Sequence, residues 1–115
     1  MHQFLPYAWF EGRCIPFDQA KVSIATHALH YGTGAFGGMR AIPDPEKPGG
    51  MLLFRPDRHA RRLSQSAKLL LADLTEETVM EALVAVLRAN KPTTPIYLRP
   101  FVYTSDLGIE PRLHN

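Results

Sequence analysis

The chain has 115 residues, 45% of them hydrophobic and 21% charged, with a formal net charge of +2 and an isoelectric point near 8.9. That length suits one domain and that apolar share can build a core; the mild charge argues against a nucleic-acid binder. Cys14 is the only cysteine, so no intrachain disulfide can form and a reducing cytoplasm is expected. No apolar run approaches membrane-spanning length, and the opening MHQFLPYAWF lacks both the basic region and the long apolar region of a signal peptide.

In chain order, Tyr7 to Phe10 and Cys14 to Phe17 flank Glu11-Gly12-Arg13, a hairpin signal. Asp18 begins a connection to Val22-Ser23-Ile24, and a short helical turn is expected near His27 to His30. Phe36 to Ile42 reads as a strand, PDPEKPGG (43–50) as a turn loop, and Met51 to Phe54 as the returning arm. A helix is expected over 55–70, with Pro56 at its first position and Asp57 in its first turn. Thr75 is placed to cap a second helix with Glu76 and Glu77 in the first turn. Val79, Leu83 and Val86 form its buried stripe, and Lys91-Pro92 ends it. A strand over 96–104 completes the set, with Pro100 pointing to an edge or a bulge. The pattern is α+β: an antiparallel sheet with two helices packed on one face.

Three segments carry chemistry. IATHALHYGTGAFGGMR (24–40) gathers Tyr31, Phe36 and Arg40 around Gly32, Gly34, Gly37 and Gly38, where main chain can approach a ligand closely. It is neither a dinucleotide fingerprint nor a P-loop. On the 55–70 helix, His59, Arg62, Leu63, Ser66 and Leu70 share one face, and Arg58, Arg61, Gln65 and Lys68 the solvated one. Arg62 therefore stands beside the apolar stripe, where it either meets an anion or lies along the core edge with its head in water. In the last strand, period-two alternation sets Tyr97, Arg99, Phe101 and Tyr103 on one face and Ile96, Leu98, Pro100 and Val102 on the other. His27 and His30 have a spacing that could hold a metal, but no acid or cysteine follows at zinc-like distance, so packing roles are expected and no metal.

The combination HALHYGTGAF, RHARRLSQSAKLL and YLRP resembles the N-terminal domain of a branched-chain amino-acid aminotransferase, a fold-type IV pyridoxal-phosphate enzyme, over nearly the whole chain. A D-amino-acid aminotransferase or an aminodeoxychorismate lyase would share the fold. The resemblance implies that Arg62 binds the cofactor phosphate and that Tyr31, Phe36, Gly38, Tyr97 and Arg99 surround the substrate, with Arg99 reading a carboxylate. Many relatives have Phe-Glu-Gly where this chain has Phe36-Gly37-Gly38. The resemblance also implies a homodimer whose Asp106 to Glu110 loop approaches the partner's site, with Leu107 or Ile109 reaching across.

A transaminase needs a lysine that forms a Schiff base with the cofactor. Lys21, Lys47, Lys68 and Lys91 match no such context, which in the family belongs to a second, C-terminal domain. Residues 1–115 are therefore expected to be the small N-terminal domain, inactive alone, of an enzyme transferring the amino group of Leu, Ile or Val to 2-oxoglutarate. The alternative from another class is a non-enzymatic α+β module that binds an anion or a partner.

Overall fold

The computed structural model describes residues 4–70 and 74–104. The Asp106 to Glu110 loop, with Leu107 and Ile109, lies outside them. Glu11 and Gly12 both take positive φ, 53° and 88°, the pairing that a two-residue turn needs to match the twist of a hairpin. Strand β1 (Tyr7–Phe10) consequently pairs antiparallel with β2 (Arg13–Pro16), Phe10 opposite Arg13. The second arm thus begins one residue earlier than the sequence suggests, because the turn needs only two residues. Phe17–Gln19 forms a 3-10 turn, and α1 (His27–Tyr31) ends where Gly32 adopts a left-handed conformation, φ 67°, the glycine exit from a helix.

The main sheet follows. Strand β3 (Gly34–Phe36) pairs with β7 (Phe101–Tyr103), and β4 (Met39–Pro43) lies between β5 (Met51–Leu53) and β6 (Ile96–Leu98). All pairings are antiparallel. Two strands expected from the sequence are each interrupted: 36–42 at Gly37-Gly38, and 96–104 at Arg99-Pro100. The interruptions face each other. Phe36 pairs with Phe101 and Met39 with Leu98, so the register runs unbroken through the gap and the two segments form one long ladder. Pro100 causes the break, since it cannot donate to the strand opposite.

Helix α2 (Pro56–Leu69) has proline at its N-terminal end, as expected, entered through Arg55 at φ 49°. Arg55 grips Asp57 through two hydrogen bonds, Nε to Oδ1 at 3.3 Å and Nη2 to Oδ2 at 3.2 Å. These bonds hold the Asp57 carboxyl below the usual carboxylate range. Helix α3 (Glu76–Asn90) is capped by Thr75, whose Oγ1 accepts the Thr78 N–H at 3.2 Å.

Met39, Ala41 and Leu98 from the sheet, Ala60 and Leu63 from α2, and Val79 and Leu83 from α3 form the core. Val86 packs against it. On α2 the buried residues are Ala60, Leu63, Ser64 and Ala67. Three of these are small and let α3 approach closely, and Ser64 satisfies its hydroxyl by donating to the Leu74 carbonyl at 2.6 Å. The centre of the buried face thus lies to one side of Arg62, which stays exposed at its rim. The β1–β2 hairpin rests against α3 and is clasped by Asn90. Its Oδ1 accepts the Tyr7 N–H and its Nδ2 donates to the Tyr7 carbonyl, both at 2.9 Å. The result is the expected α+β arrangement, with the helices on one face and the other left uncovered by the described residues.

Candidate functional site

On the uncovered face the unbroken register fixes which side chains become neighbours. Phe36 stands opposite Phe101 and Arg40 opposite Tyr97, and the intervening step sets Gly38 against Arg99. Tyr97 leans over Gly38: a Cβ there would strike the Tyr97 hydroxyl and lie 2.7 Å from Cζ. Only glycine leaves room for the phenol. The Arg99 guanidinium lies 4.5 Å from the Phe36 ring centroid and 5.4 Å from that of Tyr97. Stacking between two rings orients the planar fork and leaves its edge donors available to a carboxylate. Arg99 takes part in no ion pair among the described residues.

Phe36, Tyr97 and Phe101 are 58%, 55% and 54% exposed. Ile42 and Leu52, directly paired, continue the apolar surface along the same face. Tyr103 stacks on Phe101 with centroids 5.6 Å apart. Burial, and secondarily the negative charge of Glu11, push the Tyr103 hydroxyl above its ordinary value.

A cleft of about 210 Å³ opens between the Phe36-Gly37-Gly38 segment and α2, lined on the helix side by His59, Arg62, Leu63 and Ser66. These are the inward residues of the helix face read from the sequence, all but Leu70. Arg62 reaches this cleft, whereas Arg61 points away and pairs with Glu76 at 3.5 Å. Arg62 takes part in neither of the ion pairs found among the described residues. A Cβ at Gly37 would meet only Pro100 Cγ, at 4.0 Å, so its lack of a side chain widens the cleft without any steric demand.

The sequence grouped Tyr31 with Phe36, Tyr97 and Arg99. In the structure its ring partners are His27, at 4.6 Å between centroids, and His30, at 6.4 Å. It lies at the opposite end of β3 from Phe36. Of the six candidate residues, Phe36, Gly38, Tyr97, Arg99 and Arg62 converge about Gly38 from its two sides, while the ring contacts of Tyr31 are with His27 and His30. Sequence reasoning missed Thr33, whose hydroxyl meets buried His27 Nδ1 at 2.9 Å; no spacing rule links a turn threonine to a histidine six residues earlier. Among the described residues no group of three or more His, Cys, Asp or Glu could hold a metal ion, and no helix is long and apolar enough to cross a membrane.

The antiparallel sheet with two helices on one face and an aromatic-arginine site on the other has the fold of part of solved branched-chain aminotransferases. In sequence the chain is similar to branched-chain-amino-acid aminotransferases. No family model matches it. It is 59% identical over all 115 residues to a probable branched-chain-amino-acid aminotransferase of Synechocystis, of which it covers 38%. The crystal structure of the branched-chain aminotransferase from Thermoproteus uzoniensis with norvaline superposes with a TM-score of 0.83 at 34% identity, over 93% of this chain and 36% of that one. The branched-chain amino acid aminotransferase from Thermobaculum terrenum, in its PLP-form, superposes at 0.75 and 31% identity, over 86% of this chain and 33% of that one. The chain thus spans about a third of the length of the relatives it matches.

Proposed function

We propose that this chain forms the N-terminal, substrate-facing domain of a pyridoxal-phosphate-dependent aminotransferase that passes the amino group of leucine, isoleucine or valine to 2-oxoglutarate. One observation carries the reading. Gly38 belongs at once to the cleft that Arg62 lines and to the face where Phe36, Tyr97 and Arg99 meet. An anion anchor and a substrate wall therefore adjoin.

The residues present fit a phosphorylated cofactor. A guanidinium with no ion pair among the described residues shares its cleft with two glycines, where the main chain is open to an anion. Pyridoxal phosphate, when bound, supplies the electron sink for breaking a bond at the α-carbon of the amino acid. Arg62 holds the phosphate, assisted by the polar groups of Ser66 and His59. Phe36 and Tyr97 exclude water from one wall of the pocket and offer apolar surface to a branched side chain. Arg99 hydrogen-bonds the distal carboxylate of glutamate or 2-oxoglutarate, which lets the same pocket accept both substrate classes. Tyr31 helps form the pocket together with Tyr97.

None of Lys21, Lys47, Lys68 and Lys91 lines the cleft, so the catalytic lysine is assigned to a second, C-terminal domain. The greater length of the relatives supports that assignment. The uncovered aromatic face supports docking by that domain and by a second copy in a homodimer. Half-buried, unpaired Cys14 supports a reducing, cytoplasmic setting. The place of such an enzyme is branched-chain amino acid biosynthesis.

Kinetics of the full-length protein test the reading. Arg99→Ala is expected to lower turnover of glutamate and 2-oxoglutarate more than that of leucine, because an isobutyl group cannot use the charge-assisted bond. Equal losses for the two classes would remove the role of Arg99. Residues 1–115 alone are expected to give no transamination above free pyridoxal phosphate. Turnover with a borohydride-trapped cofactor on one of the four lysines would overturn the assignment of the chemistry.

A further inference from the structure

The connection from α1 to β3 is built around a buried histidine. His27 opens α1 and is only 3% exposed. Its Nδ1 lies 2.9 Å from Thr33 Oγ1. Its ring packs against that of Tyr31, four residues on, at 4.6 Å and 37°; residues so spaced stack on one helix face. The anchor itself is tied down: the Thr33 carbonyl accepts the Thr104 N–H at 2.9 Å, at the end of β7. Next to it, His30 Nε2 donates to the Ile24 carbonyl at 2.7 Å. Tyr31 is 36% exposed, and a tyrosine that open to water ordinarily samples rotamers on the picosecond to nanosecond scale. Here a buried, hydrogen-bonded ring occupies one of its faces.

We propose that His27 is a positioning residue for Tyr31: through its bond to Thr33 and its tilted ring contact with the phenol, it holds the Tyr31 hydroxyl in the direction from which substrate is met. The inference rests on the substrate-pocket role proposed above for Tyr31.

The test uses the full-length protein with 3-fluorotyrosine at position 31, read by fluorine NMR, beside KM and kcat for leucine. Thr33→Val removes the hydroxyl and keeps the shape, and Thr33→Ala replaces it should valine disturb the turn. Either is expected to shift or broaden the fluorine resonance and to raise KM about fivefold, the scale of one ordinary hydrogen bond, at unchanged kcat. Thr33→Ser is expected to restore both. An unmoved resonance with unchanged KM in the Thr33 variants, beside a raised KM in Tyr31→Phe, would overturn the clamp alone. A Tyr31→Phe protein with wild-type KM would instead overturn the pocket role on which the clamp depends.

Discussion

Gly37 donates its backbone N–H to the Pro100 carbonyl at 3.0 Å, and Pro100 has no N–H to return. This half-made pair marks the interruption between β3 and β4 and between β7 and β6. It leaves the register intact, so side chains on both sides of it still alternate in phase. Phe36, Gly38, Tyr97 and Arg99 reach one surface for that reason. The missing ladder bond lies beside the cleft that Arg62 lines, where regular sheet yields to two glycines and main chain becomes open to a ligand.

Arg62 and Arg61 are adjacent in sequence and differ in surroundings. In the full-length protein, Arg62→Ala is expected to weaken pyridoxal-phosphate affinity by about 1.5–3 kcal/mol, the range of hydrogen bonds to a charged group. Arg61→Ala removes an exposed pair with Glu76 and is expected to cost at most about 1 kcal/mol of stability, with cofactor affinity unchanged. Titration of the cofactor absorbance in both variants checks this, and equal effects would refute it.

Two adjacent glycines should respond oppositely to alanine. At Gly38 a methyl group collides with Tyr97, while at Gly37 it meets only Pro100 Cγ at 4.0 Å. Gly38→Ala is expected to destabilise by about 1–3 kcal/mol, as overpacking does, and to displace Tyr97. Gly37→Ala is expected to be near neutral. Denaturant midpoints compared with the wild type decide the matter.

Asn90 joins the hairpin to α3 with both faces of its amide and also donates to the Val86 carbonyl at 2.9 Å. Its replacement by alanine is expected to cost about 1–3 kcal/mol, since these are several ordinary hydrogen bonds, partly solvated. Hydrogen exchange at the Tyr7 amide is expected to accelerate more than at amides of α2. Uniform acceleration would mean that the hairpin is not a separately held unit.

Tyr103 offers a pH signature. Its hydroxyl titrates above the ordinary tyrosine value near 10 because burial and the Glu11 charge disfavour the phenolate. The folded state thus holds this proton more tightly than the unfolded chain does. The associated stability is fully present below the unfolded value and is lost as pH rises through the folded one. Tyr103→Phe is expected to show a shallower fall in melting temperature above pH 10 than the wild type. Parallel alkaline profiles would show that Tyr103 contributes nothing to the fall.

Local chemistry in the sequence was enough to place the hairpin turn, the Pro56 helix start, the Thr75 cap and the Val79, Leu83 and Val86 stripe, because each depends on residues within one turn of backbone. Alternation alone placed Tyr97 and Arg99 on one face, and helical spacing turned Arg62 away from Arg58 and Arg61. Contacts between residues distant in the chain were decided only in three dimensions. Hydrogen-bond register between β4 and β6 set Tyr97 over Gly38. Small residues at Ala60, Ser64 and Ala67 drew α3 onto α2 and moved the centre of burial off the Arg62 face. Tyr31, which sequence proximity grouped with Phe36, packs its ring against that of His27. A periodicity records which way a side chain points from its own backbone, and only packing decides what it meets there.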